Sequence, residues 1–383
     1  MKVFSKSFSI FLASAVLTGC ASINNLQKIN NVPEDASSLT SRLMPEKWTV
    51  PAPIDLPTIY WVDSFSDPIL KSLVGEAFVS NPSMLAAQYR VEAANARVDI
   101  SQSDRFPSIS ASSRVSRNEN AGPLPSSTNI SAGLSASWEY DLWGRIENGV
   151  EASRLDLQAV SADYDSARLS VAGQVSLAWF DLTEARLLSE LSNRTVETKK
   201  RALRLTQRRF EGGVTGSSDV RLARSSLANA EASQSLQMQR LSSSTRRLEI
   251  LLRRYPSAEL NASSDLPLLP ELSGAGTPDY VMKNRPDLLA AEYRLKSQGF
   301  QIEIAKKNLL PRFTLDGSGS LASRNMSDFF EIDALVASLA GGISAPVFQG
   351  GRLKANLEQQ KVLMKSQLES YAGLILNAYL EVE

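Results

Sequence analysis

Between about Arg145 and Phe210 the chain has no proline, and apolar or small residues recur every seventh position: Val150, Leu157, Tyr164, Val171, Ala178 and Ala185. A seven-residue period is the signature of a coiled-coil seam. After a short break the period resumes with Val220, Leu227, Gln234, Leu241 and Leu248, flanked by Ala223, Ala230, Gln237, Ser244 and Leu251. The pattern predicts two long helices, the first reaching roughly 100 Å at 1.5 Å per residue. Many seam positions are Ala, Ser or Gln, which suits a thin wall wetted on its second side. The break reads RFEGGVTGSSDV from Arg209 to Val220. Gly212, Gly213 and Gly216 supply backbone freedom to stop one helix, and Ser217, Ser218 or Asp219 can cap the next. This is an αα-hairpin turn at the tip of a long, water-exposed pair.

Elsewhere the period is two. Ile109, Ala111, Ser113 and Val115 alternate with Ser108, Ser110, Ser112 and Arg114. Beyond a loop, Ile130, Ala132, Leu134, Ala136, Trp138 and Tyr140 alternate with Ser131, Gly133, Ser135, Ser137 and Glu139. Each run approaches the 9–11 residues of a tilted membrane strand, with aromatics where an interfacial girdle belongs. On pattern alone, a soluble hairpin with one buried face fits as well. Two shorter helices precede these runs: one opens at Asp67-Pro68 with the proline in its first turn, Asn81-Pro82 interrupts it, and a second runs from Ser83 to about Arg105.

The organisation is duplicated. Sliding the chain by 204 positions places Pro82, Leu85, Ala86, Ala87, Tyr89 and Arg90 on Pro286, Leu289, Ala290, Ala291, Tyr293 and Arg294. Alternation restarts with Phe313, Leu315, Gly317, Gly319 and Leu321, then with Leu335, Ala337, Leu339, Gly341 and Ile343. GRLKANLEQQK from Gly351 echoes GRIENGVEASR from Gly144, and AYLEVE from Ala378 echoes AWFDLT from Ala178. Equating the copies leads us to expect a C-terminally incomplete second copy, lacking roughly 70 residues that would hold a second tip and returning helix. The stripe of 353–382 is then expected to lack that partner. Two copies give four candidate membrane strands. Four strands cannot close in lipid without leaving backbone groups unsatisfied, so the chain is expected to pool strands with copies of itself.

Composition narrows the chemistry. The chain carries 41 basic and 41 acidic residues and no histidine. The balance gives no reason to expect a nucleic-acid partner. Without histidine the commonest general base and metal ligand are gone, and no pair of carboxylates stands out, so we expect no enzyme, cofactor or metal site. The glycines of the tip lack the Gly-Lys-Ser/Thr of a phosphate loop. The basic stretch from Arg201 to Arg209 reads as a solvated helix face or as a contact for an acidic partner.

The single cysteine, Cys20, follows a basic start (Lys2, Lys6) and an apolar run from Phe8 to Leu17 too short to span a bilayer. The sequence LTGCAS from Leu17 resembles a bacterial lipoprotein signal, which implies cleavage before Cys20 and its acylation. Ala21 and Ser22 do not resemble an inner-membrane retention signal. Five prolines between Pro33 and Pro57 suit an extended arm.

WVDSFSDPIL from Trp61, Asn81-Pro82, RPDLLAAEYRL from Arg285, WGRIENG from Trp143, VFQGGRL from Val347 and the RFEGGV tip together resemble the outer-membrane factor family in its lipoprotein branch, the TolC-like channels of tripartite efflux systems. The resemblance runs from Cys20 to Glu383. It implies a mainly α fold with membrane β: long coiled-coil hairpins and four transmembrane strands per chain, pooled by a homotrimer into a twelve-stranded β-barrel and an α-barrel. It implies segments 1–19 (signal peptide), 20–66 (lipidated arm), 67–260 (first repeat, with β-hairpin 107–140 and helical hairpin 145–252), 261–278 (linker) and 279–383 (second repeat, with β-hairpin 311–348). It implies that Gly212, Gly213, Val214, Thr215, Gly216, Ser217, Ser218 and Asp219 touch a periplasmic adaptor, the membrane fusion protein, which links to an inner-membrane RND pump. The expected function is an outer-membrane channel that exports small toxic compounds. A lipid-anchored periplasmic tether without a pore, and a duct for type I protein secretion, are the alternatives.

Overall fold

The computed structural model describes residue 45, residues 47–49, 61–119, 122, 127–261, 263, 265–267, 270, 274, 276–323 and 335–383. Cys20, the signal segment and most of the arm lie outside the described residues. The chain divides into two units, one holding residues 104–152 and 295–373, the other 45–103, 153–294 and 374–383. In chain order the elements are a 3₁₀ turn (Trp61–Phe65), α1 (Pro68–Ser80), α2 (Pro82–Ser103), β1 (Ser108–Asn118), β2 (Ser127–Tyr140), α3 (Arg145–Glu211), α4 (Ser217–Leu251), α5 (Pro278–Asn284), α6 (Pro286–Lys307), β3 (Arg312–Ser323), β4 (Leu335–Ser344) and α7 (Arg352–Val382). The duplication is visible in these bounds: α2 and α6 each run 22 residues and start 204 positions apart.

The first unit is built on one antiparallel sheet in the order β1-β2-β3-β4. Opposed residues share a face, so the register sorts the side chains. One row reads Ile109, Ala136, Gly317, Leu339 and another Tyr140, Phe313, Ile343. The opposite face carries Ser110, Ser135, Ser318 and Ser338 in a single row. Its hydroxyls pair across strands, Ser110 with Ser135 and Ser318 with Ser338, each at 2.8 Å. Ser137 donates to Asp316 at 2.7 Å. At Gly133 the strands approach so closely that a Cβ would lie 2.7 Å from the Gly319 oxygen and from Ser320 Cβ. The apolar face is open: Leu134 is 59%, Leu339 76% and Ile343 73% exposed. Among the described residues no helix is long and apolar enough to cross a membrane. The sheet is the element with a lipid-compatible face.

The second unit is helical. Asp67 caps α1, its Oδ1 accepting from the Ile69 and Leu70 amides, while its Oδ2 accepts from the Trp179 indole at 2.8 Å. Around Trp179 gather Leu70, Leu73, Val74 and Ala77 of α1, Met84, and Val175, Leu182 and Leu248 of the long helices. In α3 the buried positions Val171, Ala178, Ala185 and Ser192 keep the seven-residue step, and Val175, Leu182, Ser189 and Val196 repeat it. The seam of the hairpin is therefore where the period places it, with small and polar residues buried beside apolar ones. The stripe of α7 is buried in part: Met364, Tyr371, Ile375 and Ala378 are covered, while Val362, Leu376 and Leu380 stay exposed.

Two anchors were not legible in the periodicity. Glu249, 2% exposed, accepts from the Ala258, Glu259 and Leu260 amides at 2.8, 2.8 and 3.1 Å. Burial alone would raise its pKa, but these amides and Arg246 outweigh it and hold the carboxyl below its ordinary value. Trp48 donates from its indole to the Gly276 carbonyl at 2.7 Å and stacks edge-on to Tyr379. It fixes one point of the arm.

Two outcomes test this account. Leu134→Lys is expected to impair membrane assembly by about 2–4 kcal/mol if its site lies near the bilayer midplane, whereas Ser135→Lys assembles as the parent does. The yield of outer-membrane oligomer measures both, and equal tolerance would reverse the facing. Glu249→Gln is expected to lower stability by about 1–3 kcal/mol at neutral pH through loss of charge-assisted hydrogen bonds. Because the folded pKa is depressed, that stabilisation is present above the unfolded value of about 4.3 and fades as pH falls through the folded pKa. The gap between the unfolding midpoints of parent and variant should therefore narrow below about pH 4.

Candidate functional site

Two features answer to the expected functional residues, and each lies within one unit. The first is the frame that joins strands to helices in the sheet unit. β2 leads into α3 through Asp141, whose carboxylate accepts from the Arg145 amide at 2.7 Å and the Glu147 amide at 2.9 Å. These are orphan donors of a helix start, satisfied by a side chain. Arg145 returns a forked pair to Glu139, at 3.1 and 2.9 Å. Trp138 and Trp143 tie their indole N–H groups to the carbonyls of Arg105 (2.9 Å) and Pro311 (2.7 Å), the residues that lead into β1 and β3. Buried or half-buried indoles need such partners. Lys307 donates to the Gly144 carbonyl, and burial pulls its pKa down against the carboxylates of Glu303 and Asp141. Trp138 and Trp143 are thus locked to backbone, as rigid interfacial anchors require.

The second feature is the tip. α3 ends in a Schellman closure: the Val214 amide donates to the Arg209 carbonyl at 2.8 Å, and the Gly213 amide to Phe210 at 3.0 Å. Gly213 takes φ +75°, the left-handed region that glycine alone enters freely. Of the three glycines expected to supply backbone freedom, it is the one whose φ requires it; Gly216 sits at φ −84°. Among the candidate capping residues, Asp219 acts: its Oδ2 accepts from the Gly216 amide at 3.3 Å, and Gly216 occupies the cap position. Ser217 and Ser218 are exposed in the first turn. Val214 is 75% exposed, and the buried Thr215 hydroxyl oxygen has no partner. The structure thus brings Gly212 to Asp219 together in one turn that is closed by its own backbone hydrogen bonds and presents Val214 outward.

The basic stretch at the end of α3 continues across this turn. Arg221 and Arg224 are exposed at the start of α4. Reading the charges helix by helix hides them; summing charge across the break would have found them.

The outer membrane efflux protein family model matches residues 73–252 and 277–383. Outer membrane protein OprJ of Pseudomonas aeruginosa is 27% identical over 334 residues, 85% of this chain and 70% of OprJ. The probable outer membrane lipoprotein SilC of Salmonella typhimurium is 26% identical over 329 residues, 84% of this chain and 70% of SilC. The solved outer-membrane channel OprN superposes with a TM-score of 0.75 at 27% identity, over 88% of this chain and 79% of that one. The two matched segments correspond to the two copies of the internal repeat, and they place this chain in the outer membrane efflux protein family, whose members are transport proteins of the outer membrane.

Proposed function

We propose that this chain is one subunit of a homotrimeric outer-membrane channel through which a tripartite pump exports small toxic compounds. The observation that carries the reading is the two-faced sheet with two open edges. Its apolar face matches lipid and its serine face matches water. β1 and β4 each have a single neighbour, so each presents a row of unpaired backbone groups. In a bilayer each such group costs several kcal/mol, and only closure removes it. Three chains supply twelve strands, above the eight at which known barrels begin.

In this reading Cys20 is the acylated N-terminal residue and lipid of the outer membrane surrounds the barrel. The similarity to SilC, a probable outer membrane lipoprotein, supports the assignment. Gly212, Gly213, Val214, Thr215, Gly216, Ser217, Ser218 and Asp219 meet the periplasmic adaptor, which connects to the inner-membrane pump. An exposed valine on a turn closed by its own backbone hydrogen bonds fits a surface that is covered on assembly.

The deciding experiment weighs the detergent-extracted protein and records its conductance in planar bilayers. A trimeric mass with open channels is expected; a lipid-anchored monomer without conductance would favour a tether instead. Replacing Gly213 by valine should abolish efflux while the oligomer still forms. A β-branched residue at φ +75° strains the turn, whereas the sheet pairing does not involve it. Dye accumulation in cells and oligomer recovery read the two effects separately. Gly216→Ala, at an ordinary φ, should leave efflux intact.

A further inference from the structure

We infer that the adaptor surface that receives this tip is acidic, and that the encounter is electrostatically steered. This rests on the reading of Gly212 to Asp219 as a docking turn and adds the chemistry of the partner.

The whole chain is neutral, with 41 basic and 41 acidic residues, yet residues 199–224 hold eight Lys or Arg and two Asp or Glu. A second basic surplus, five Arg to one Glu over 240–254, lies at the opposite end of α4 from the turn. Further up α3 the charges neutralise each other along the helix: Arg186 and Arg194 both pair with Glu190, and Lys200 pairs with Glu197. From Arg201 onward the pairing stops. Arg201, Arg204, Arg208, Arg209, Arg221 and Arg224 are exposed, and among the described residues none meets a carboxylate. Glu211 and Asp219 are the two acids of the segment, and Asp219 is committed to the Gly216 amide.

The spacing gives the patch direction. Arg201, Arg204 and Arg208 stand at i, i+3 and i+7 on α3, one stripe of a helix. Arg221 and Arg224 repeat the i, i+3 step on α4. Val214, in the turn that joins the two helices, and Leu222, beside Arg221 on α4, are 75% and 71% exposed. Exposed apolar residues flanked by unpaired guanidinium groups are the complement of an apolar contact flanked by carboxylates. Arg recognises carboxylate through a planar fork, so the pairing sets orientation as well as attraction. Rim charges of this kind act chiefly on association rate, and steering raises on-rates by roughly 10- to 1000-fold at low salt.

The test begins in cells, with a photo-crosslinking amino acid at position 214 of the full chain. The crosslinked adaptor peptide is identified, and that adaptor is purified as the probe. Its binding to the detergent-solubilised full chain is then measured from 50 to 500 mM NaCl. We expect the crosslinked peptide to carry surplus Asp and Glu, and the association rate to fall at least tenfold over that range. R208E/R209E and R221E/R224E should each slow association at least tenfold in 50 mM NaCl with little change in dissociation. R208Q/R209Q should fall between. All four positions are exposed, so oligomer mass and helical content should match the parent. Reversing acidic residues of the crosslinked peptide to Lys should restore association with the Glu variants. A contact peptide with a neutral or basic surface, or an association rate indifferent to salt and to R208E/R209E, overturns the inference and leaves the docking reading standing. Adaptor crosslinks that form elsewhere on the chain but not at position 214 overturn the docking reading, and the inference with it.

Discussion

The constraint on which the sheet unit depends is that backbone hydrogen bonds have no substitute in lipid. Water satisfies an exposed strand edge in solution, but in hydrocarbon each unpaired N–H or C=O costs several kcal/mol. A four-stranded sheet with β1 and β4 at its edges is complete in solution terms and incomplete in membrane terms. The side chains show which terms apply. If the sheet were soluble, a face bearing Ile109, Leu134, Leu339 and Ile343 would be covered by helix or loop. Here that face is open. The serine rows on the other side do without a core, because each hydroxyl finds a cross-strand partner or water. Open apolar face and open edges are one requirement: more strands of the same kind, in lipid.

The helical unit obeys the opposite economy. Its hairpin is long, and the seam buries serine, threonine and alanine as readily as leucine: Ser176, Thr183, Ser189, Ser192 and Thr245 are all buried. Most of these hydroxyls turn back onto carbonyls three or four residues earlier, as Thr183 does to Trp179 and Thr245 to Leu241. A helix absorbs such groups without a tertiary partner, so a narrow seam tolerates them. Stability is concentrated instead where a third element adds apolar bulk. Trp179, fully buried and tied to Asp67, marks that place. A single carboxylate there caps α1 and orients the largest side chain of the core.

The periodic parts of the molecule were legible in the sequence because period alone decides them. The seven-residue step of Val171, Ala178 and Ala185 and the two-residue step of Ile130, Ala132 and Leu134 both appear where the pattern puts them. The duplication raised two ambiguous strand signals to four consistent ones. Contacts between elements distant in sequence carried no such mark. Glu249 looks like any charge on a helix face, and only the loop at 258–260 reveals it as an acceptor for three amides. Trp48 sits in a proline-rich stretch with no period at all. At the tip the sequence identified the turn but not the division of labour within it. Three glycines and three candidate caps are chemically alike on paper, and only φ separates Gly213 from Gly216.

The arrangement of charge follows a related logic. A long helical pair in water needs polar surface along its whole length, and ion pairs at i, i+4 provide it with little net field, as around Glu190. Self-paired charges solubilise but attract nothing specific. Unpaired charges project a field over about a Debye length, roughly 10 Å at 0.1 M salt. A protein that must meet one partner at one place does best with paired charges on its shaft and unpaired ones at its contact. On α3 the ion pairing ends at Lys200, where the stretch leading to the turn begins. That turn is closed by its own backbone hydrogen bonds and leaves Val214 exposed. Backbone geometry there fixes the shape of the turn, and in the proposed docking the arginines around it choose what approaches.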